Sequence, residues 1–190
     1  MTRWEQMMVF YGSHHRSRVN VIAHLFGVPI ILTGALVPLA LIQVSLPGLS
    51  LTLAWIAAVA LGETYFRLDR GFAIGALVML AGVMVAVHAV AALPTGSALG
   101  WAAGLFLGGY TLQFVTHGIE GKKPALFDNL LLAQITAPLF VVAEVYKMLG
   151  LRRELFARVE AEIARLEAGP GVNGAAGGAT SPASSAASAR

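Results

Sequence analysis

The chain alternates between long uncharged segments and short clusters of charge. Residues 19–62 contain no Asp, Glu, Lys or Arg, and residues 71–119 contain none either. Each segment is about twice as long as the roughly 20 residues that a transmembrane helix needs. Turn-forming residues stand near both midpoints, at Pro47-Gly48 and at Pro94-Thr95-Gly96. The pattern therefore predicts four transmembrane helices, arranged as two hairpins.

Residues 127–149 are apolar enough to form a fifth membrane helix, but their sequence does not decide whether this helix crosses the membrane. Pro138 lies near the middle, and Glu144 and Lys147 lie near the end. A full crossing would also carry the arginines that follow to the opposite side of the membrane. We therefore favour a helix that lies at the interface or enters and returns, because interfacial helices tolerate such charges. A spanning helix is the alternative.

The C-terminal segments are more polar. Residues 151–168 predict an amphipathic helix at the cytosolic surface, because apolar positions recur at helical spacing among Arg and Glu. These positions are Leu155, Val159, Ile163 and Leu166. Residues 169–190 are mostly Gly, Ala, Ser and Pro, so we expect a disordered tail. Residues 1–150 then form one membrane-embedded, all-α domain.

The composition agrees with a protein that lies in a lipid bilayer. Hydrophobic residues make up 57% of the chain and charged residues only 12%, against roughly 25% charged in soluble domains. Lys and Arg flank the uncharged segments and are missing from the two hairpin tips, which places the N-terminus on the cytosolic side. The expected location is the cytoplasmic membrane of a bacterium or the endoplasmic reticulum membrane of a eukaryote.

Charge and cysteine content exclude several classes of function. The net charge of +3 is small, and the basic residues serve as topology signals, so we expect no nucleic-acid partner. The chain has no cysteine. Disulfides, thiolate metal sites, iron–sulfur clusters and cysteine nucleophiles are therefore excluded, and any metal must use His, carboxylate or amide ligands.

Two polar helix faces meet the predicted cytosolic border. The first consists of Asn20, His24 and Gly27, and the second consists of Gln113, His117 and Glu120, all at spacings of four and three residues. A His and a carboxylate three residues apart on one helix face is a spacing that metal sites in helical bundles use. Each histidine alone could be an interfacial anchor, but together the residues of this layer favour a metal site.

His15 can join this layer only if the helix breaks. In one continuous helix, His15 and His24 would lie on opposite faces, since each residue turns the helix by about 100°. Ser17 is a suitable cap for the first transmembrane helix, so we predict a break over 17–19. Tyr11 and His15 would then share one face of a preceding short helix. His88 lies deep in the third predicted span, and we expect it to be structural or interfacial.

The motifs around these residues resemble those of the 2-hydroxy fatty acid dioxygenase family. The N-terminal pattern is Tyr11-x3-His15-x4-Asn20-x3-His24-x2-Gly27-x-Pro29. The C-terminal pattern is Gln113-Phe-x2-His117-x2-Glu120-x3-Pro124-Ala-Leu-x-Asp128-Asn129-Leu, followed by Ala137-Pro138-Leu-Phe140 and Glu144. The resemblance covers roughly residues 4–150. Thr116 departs from the pattern, because family members commonly have Gly there.

The resemblance implies an enzyme that uses Fe(II) and O2 but not 2-oxoglutarate. Such an enzyme oxidises 2-hydroxy fatty acids to fatty acids one carbon shorter and releases the carboxyl carbon as CO2. On this hypothesis the iron ligands are His15, His24 and His117. Glu120 is either a fourth ligand or an acceptor that orients an imidazole, and Asn20 and Gln113 supply hydrogen bonds. Basic residues at the same border could hold the anionic head of the substrate; these are Arg16, Arg18, Lys122 and Lys123.

Three other functions compete with this hypothesis. A non-catalytic lipid-binding or scaffold protein would use the polar residues only to satisfy one another at the membrane border. A small transporter is disfavoured, because no charged residue lies inside the four spans and no repeat with broken helices is evident. A membrane hydroxylase or desaturase usually has more histidines, in paired clusters.

Overall fold

The structure is a computed structural model that describes residues 1–168 as seven α-helices and one β-hairpin. The all-α membrane bundle expected from the sequence is confirmed. The predicted disordered tail, residues 169–190, lies outside the described residues. The elements are α1 (Arg3–Ser13), α2 (Arg18–Ala40), β1 (Gln43–Leu46), β2 (Leu49–Thr52), α3 (Leu53–Leu68), α4 (Arg70–Ala91), α5 (Thr95–Glu120), a 3-10 turn (Ala125–Phe127), α6 (Leu130–Met148) and α7 (Arg153–Glu167).

Four helices within residues 1–168 are long and apolar enough to cross a membrane: α2, α4, α5 and α6. The predicted second span differs, because α3 has only 16 residues. At 1.5 Å per residue it is about 24 Å long, short of the roughly 30 Å of a hydrocarbon core. The residues before it pair as antiparallel strands, from Gln43 with Thr52 to Leu46 with Leu49. Gly48 closes the hairpin with a φ of 76°, which glycine adopts without steric cost.

Helices α2 and α5 pack antiparallel with their backbones in close contact. A Cβ on Gly34 would lie 2.6 Å from the backbone nitrogen of Phe106, and a Cβ on Gly109 would lie 2.6 Å from the side chain of Ile31. Only glycine fits at such distances. This contact fixes the register of α2 against α5 and so sets which of their polar side chains face each other.

Two apolar clusters lie at opposite ends of the bundle. The far-end cluster includes Val37 of α2 and Val87 of α4. The charged-end cluster contains Trp4 of α1, whose ring stacks on Phe72 of α4 with centroids 4.1 Å apart. Burial of these aromatic rings stabilises the packing of α1 against the start of α4.

Both ends of α6 contact the charged end of the bundle. Before its first turn, Asp128 pairs with His14 at 2.8 Å. In its last turn, the Tyr146 hydroxyl donates to the Gly71 carbonyl at the start of α4, again at 2.8 Å. Pro138 lies inside the helix. Because α2 and α4 begin at this end and α5 ends there, the contacts favour the interfacial or re-entrant course over a full crossing.

Helix α7 packs on α1 at the charged end through Phe156, Val159 and Ile163. Of the apolar positions predicted for this helix, Val159 and Ile163 are buried, Leu155 packs at the edge of the cluster, and Leu166 is exposed. The sequence pattern did not include Phe156, because this residue is adjacent to Leu155 and does not follow the spacing of the predicted apolar positions.

Candidate metal centre

The chain breaks between α1 and α2 over residues 14–17, earlier than the predicted 17–19, so that His15 lies in the linker and not on the short helix that the sequence predicts for it. α1 ends at Ser13 and α2 begins at Arg18. The Ser17 hydroxyl accepts a hydrogen bond from the Asn20 N–H at 3.1 Å and caps α2. His15 lies in the linker, and its ring therefore reaches His24 almost two turns into α2, with ring centroids 4.3 Å apart.

Three buried histidines come together at the charged end of the bundle. They are His15 from the linker, His24 from α2 and His117 from α5, and one ring nitrogen of each lies within 4.8 Å of the others. The ring centroids of His24 and His117 are 5.5 Å apart. The fold thus brings together all three histidines that the sequence proposes as ligands. His88 stays apart from them, in α4, with its Nδ1 donating to the Met84 carbonyl at 2.8 Å.

The hydrogen bonds of His15 and His24 determine which ring nitrogens carry protons. His15 Nδ1 donates to the Tyr11 carbonyl at 2.6 Å, and His24 Nδ1 donates to the Asn20 carbonyl at 2.9 Å. A carbonyl oxygen can only accept, so in the neutral rings both Nε2 atoms carry a lone pair. These two Nε2 atoms face each other at 3.0 Å. Two lone pairs at this distance repel each other unless a cation lies beside both.

Protonation of His15 is disfavoured at this place. Burial, together with the neighbouring His24, lowers the pKa of His15 below its ordinary value of 6.5. The 3.0 Å separation is one that two bonds of roughly 2.1 Å to a single ion can span. Neutral imidazoles suit iron, zinc, copper and nickel. The facing Nε2 lone pairs of His15 and His24 therefore fit a transition-metal ion.

Tyr11 and Phe140 enclose the His15 ring. The Tyr11 ring stacks on it with centroids 4.1 Å apart and planes 5° apart, and the Phe140 centroid lies 5.1 Å away. Tyr11 thus fixes the imidazole through both its carbonyl group and its ring. The four-residue spacing in the sequence indicated a shared face, whereas the contact from Phe140 carried no sequence signal.

Glu120 binds the linker and Asn20, and it stands outside the three-histidine group. Its carboxylate accepts hydrogen bonds from the backbone N–H groups of Arg16 at 2.6 Å and Ser17 at 2.9 Å, and from Asn20 Nδ2 at 2.5 Å. The same Asn20 nitrogen lies 3.3 Å from His117 Nδ1. Among residues 1–168, Glu120 accepts no hydrogen bond from an imidazole and reaches His117 only through Asn20, so any orienting role is indirect, and the carboxylate is not part of the three-histidine group.

Thr116 supports Asn20 in a way that the sequence did not indicate. Its hydroxyl lies 3.1 Å from Asn20 Oδ1 and can donate to it, in addition to the α5 carbonyls of Leu112 and Gln113. Thr116, which departs from the family pattern, therefore contributes a hydrogen bond to Asn20. A comparison of motifs shows that Thr116 differs from the pattern, but it does not show which residue Thr116 contacts in the fold.

A small cleft with a cavity volume of about 40 Å³ opens from the histidines and runs between α2, α5 and α6. Gln113 lies on its wall, and the Gln113 Nε2 atom is buried without a hydrogen-bond partner in the described part of the chain. At the exposed side of the cleft, Gln134 of α6 donates a hydrogen bond to the Tyr110 hydroxyl of α5. Gln113 is thus near the three histidines, yet it makes no side-chain bond within residues 1–168 to the Asn20–Glu120 network.

Three of the cations proposed for substrate binding are bound to protein groups instead. Arg16 pairs with Glu160 of α7 at 2.7 Å. Lys122 donates to the Ser13 carbonyl at 2.8 Å, and Lys123 pairs with Asp128. Arg18 is exposed. Through these contacts, the charged end of the bundle binds α7 and the turn before α6.

Comparison with known proteins adds evidence that is independent of this geometry. The family model described as "2-hydroxy-palmitic acid dioxygenase Mpo1-like" matches residues 1–66 and 73–149. The 2-hydroxy-palmitic acid dioxygenase MPO1 of Saccharomyces cerevisiae is 30% identical over 155 residues, which cover 81% of this chain and 86% of that protein. No solved structure matches the chain. The family match includes all three histidines and ends before α7.

Proposed function

Because the chain belongs to the Mpo1-like family of 2-hydroxy-palmitic acid dioxygenases, we propose that it is an Fe(II)-dependent membrane dioxygenase that performs α-oxidation of 2-hydroxy fatty acids. Family membership indicates dioxygenase activity at a coarse level. The observation that supports the metal-dependent reaction is the pair of unprotonated Nε2 atoms of His15 and His24, 3.0 Å apart and beside His117.

The proposed reaction balances without a co-substrate other than O2. One 2-hydroxy fatty acid and one O2 give the fatty acid that is one carbon shorter, CO2 and water. The bond between carbons one and two breaks, and O2 takes up all the electrons that the substrate loses. No 2-oxoglutarate is required as a reductant.

In this proposal His15, His24 and His117 hold the iron. When bound there, Fe(II) would supply the redox chemistry through which O2 reacts with an organic substrate. Tyr11 fixes the orientation of His15, and the Asn20 amide links His117 to Glu120. Such outer hydrogen bonds keep ligands in position and typically change metal affinity about 10- to 100-fold when they are removed.

The protein would place this chemistry at the cytosolic surface of its membrane. Arg and Lys concentrate at the end of the bundle that carries the histidines, which favours a cytosolic position for the N-terminus and the site. A 2-hydroxy fatty acid dissolved in the bilayer would present its head at this depth while its chain remains among the helices.

The test is metal analysis of protein purified without oxygen, followed by O2 uptake and CO2 release with 2-hydroxypalmitate. The wild-type protein should contain stoichiometric iron and consume O2. His117→Ala should lose both properties, whereas His88→Ala, far from the cluster, should keep both. A wild-type protein with neither iron nor O2 uptake would instead support the lipid-binding or scaffold alternative. Unchanged iron in His117→Ala would eliminate the ligand assignment.

A further inference from the structure

The cleft beside the histidines has both polar and apolar walls. Past the imidazoles its walls are formed by Val28, Ile31 and Leu32 of α2 and by Ala133 and Ala137 of α6. Its cavity volume of about 40 Å³ has room for a small polar group and not for a long hydrocarbon chain.

No Lys or Arg lines this cleft among the described residues. The nearby cations Arg16, Lys122 and Lys123 are bound to carboxylates or to a backbone carbonyl. An acidic head inside the cleft therefore depends on a metal ion and on neutral hydrogen-bond donors.

Gln113 supplies such a donor. Five side chains within residues 1–168 contain a buried polar atom without a hydrogen-bond partner, and Gln113 is the one among them that lines the cleft. Its side chain is 8% exposed, and Gly27 lets the amide pack closely, since a Cβ there would lie 3.2 Å from Nε2. A buried unpaired donor destabilises a fold, so its presence in a cleft indicates a function outside folding.

We propose that the Gln113 carboxamide N–H donates a hydrogen bond to an oxygen of the 2-hydroxy acid head. This inference rests on the proposed function, because it takes its ligand from there. It makes Gln113 a substrate-binding residue, distinct from Asn20 and Glu120, which act on the histidines. A site with a buried donor for a substrate oxygen also discriminates strongly against ligands that leave the donor unpaired.

The test is anaerobic binding of 2-hydroxypalmitate to the iron-loaded protein, measured by calorimetry in detergent, for wild type and Gln113→Met. Methionine has similar size and no donor, so Kd should rise about 10- to 100-fold, as expected for one hydrogen bond to a charged group. Iron content should not change. The melting temperature should stay the same or increase, because an unpaired buried donor is removed.

The matched control is Thr111→Val, two residues earlier on α5, where the side chain is exposed. Its Kd should equal that of the wild type. An unchanged Kd in Gln113→Met would overturn the inference and leave the proposed function intact. A lower melting temperature with loss of iron would also overturn it, because Gln113 would then support the fold. A wild-type protein that binds neither iron nor 2-hydroxypalmitate would overturn both proposals.

Discussion

Glu120, the last residue of α5, accepts a hydrogen bond from the backbone N–H of Ser17 at 2.9 Å. Ser17 is also the residue that caps α2. The carboxylate therefore joins the end of one helix to the break that turns His15 toward His24. This connection lets a residue outside the three-histidine group control the geometry within it.

Replacing Glu120 by Gln should weaken metal binding without unfolding the protein. The amide retains the size of the side chain but loses the charge that accepts three N–H donors, so we expect a 10- to 100-fold loss of metal affinity. Titration of the metal-free protein with Fe(II) under anaerobic conditions measures this affinity. Glu63→Gln, in an exposed ion pair with Arg67, is the control and should bind metal normally. Equal affinities for both variants would contradict the orienting role.

The sequence predicts those parts of the site that depend on local geometry. The helix break follows from the angle between His15 and His24 and from the capping preference of Ser17, and the structure has a break here, over residues 14–17. The faces that carry His24 and His117 follow from helical periodicity, and the three histidines lie together.

The parts that depend on packing were not predictable in this way. The residues on either side of Pro47 and Gly48 are uncharged, so their hydropathy assigned them to membrane spans. In the structure these residues pair as β1 and β2, and α3 is therefore shorter than predicted. The hydrogen bonds of Thr116 to Asn20 and of Glu120 to the linker form only when α2 and α5 pack together. No periodicity in the sequence contains this information.

Thr116→Val should loosen the support of Asn20. Valine has nearly the same shape but no hydroxyl, so Asn20 Oδ1 loses a donor. Because the Thr116 hydroxyl proton is shared with two α5 carbonyls, we expect a loss of only about 1 kcal/mol in the free energy of unfolding. Thr116→Ser keeps the donor and should retain most of the stability. Thermal unfolding in detergent compares the two variants, and equal stability would show that the Asn20 contact contributes nothing.

The contact between α1 and α7 should depend on pH through Glu5. Hydrogen bonds from the Thr2 backbone N–H and from the Arg158 guanidinium hold the pKa of Glu5 below its ordinary value of 4.5. A carboxyl group with a lowered folded pKa stabilises the fold above the unfolded pKa, and this contribution is lost as the pH falls below 4.5.

Glu5→Gln should therefore melt at a lower temperature than the wild type at pH 7, and the two melting temperatures should converge as the pH approaches the folded pKa of Glu5. Thermal unfolding at a series of pH values between 7 and 3 measures the difference. A difference that is the same at every pH would mean that the charge of Glu5 does not contribute. Glu63→Gln, at the exposed ion pair, should show no comparable difference at any pH.

The close contact between α2 and α5 at Gly34 should be the position where an added side chain destabilises the packing most. In Gly34→Ala, the new Cβ would lie 2.6 Å from the Phe106 backbone nitrogen and 2.7 Å from the Ala102 carbonyl oxygen. Backbone atoms cannot rotate away as a side chain can, so the helices must separate, at a cost of about 1–3 kcal/mol. Gly108→Ala, on α5 with no neighbour within 4 Å of the added Cβ, should be neutral or stabilising by up to about 1 kcal/mol, since alanine favours helix.

Because α2 carries His24 and α5 carries His117, separation of the helices should also reduce metal retention in Gly34→Ala alone. Thermal unfolding together with metal analysis of both variants tests this link, and a Gly34→Ala protein with normal stability and metal content would show that the register of the two helices does not depend on this contact.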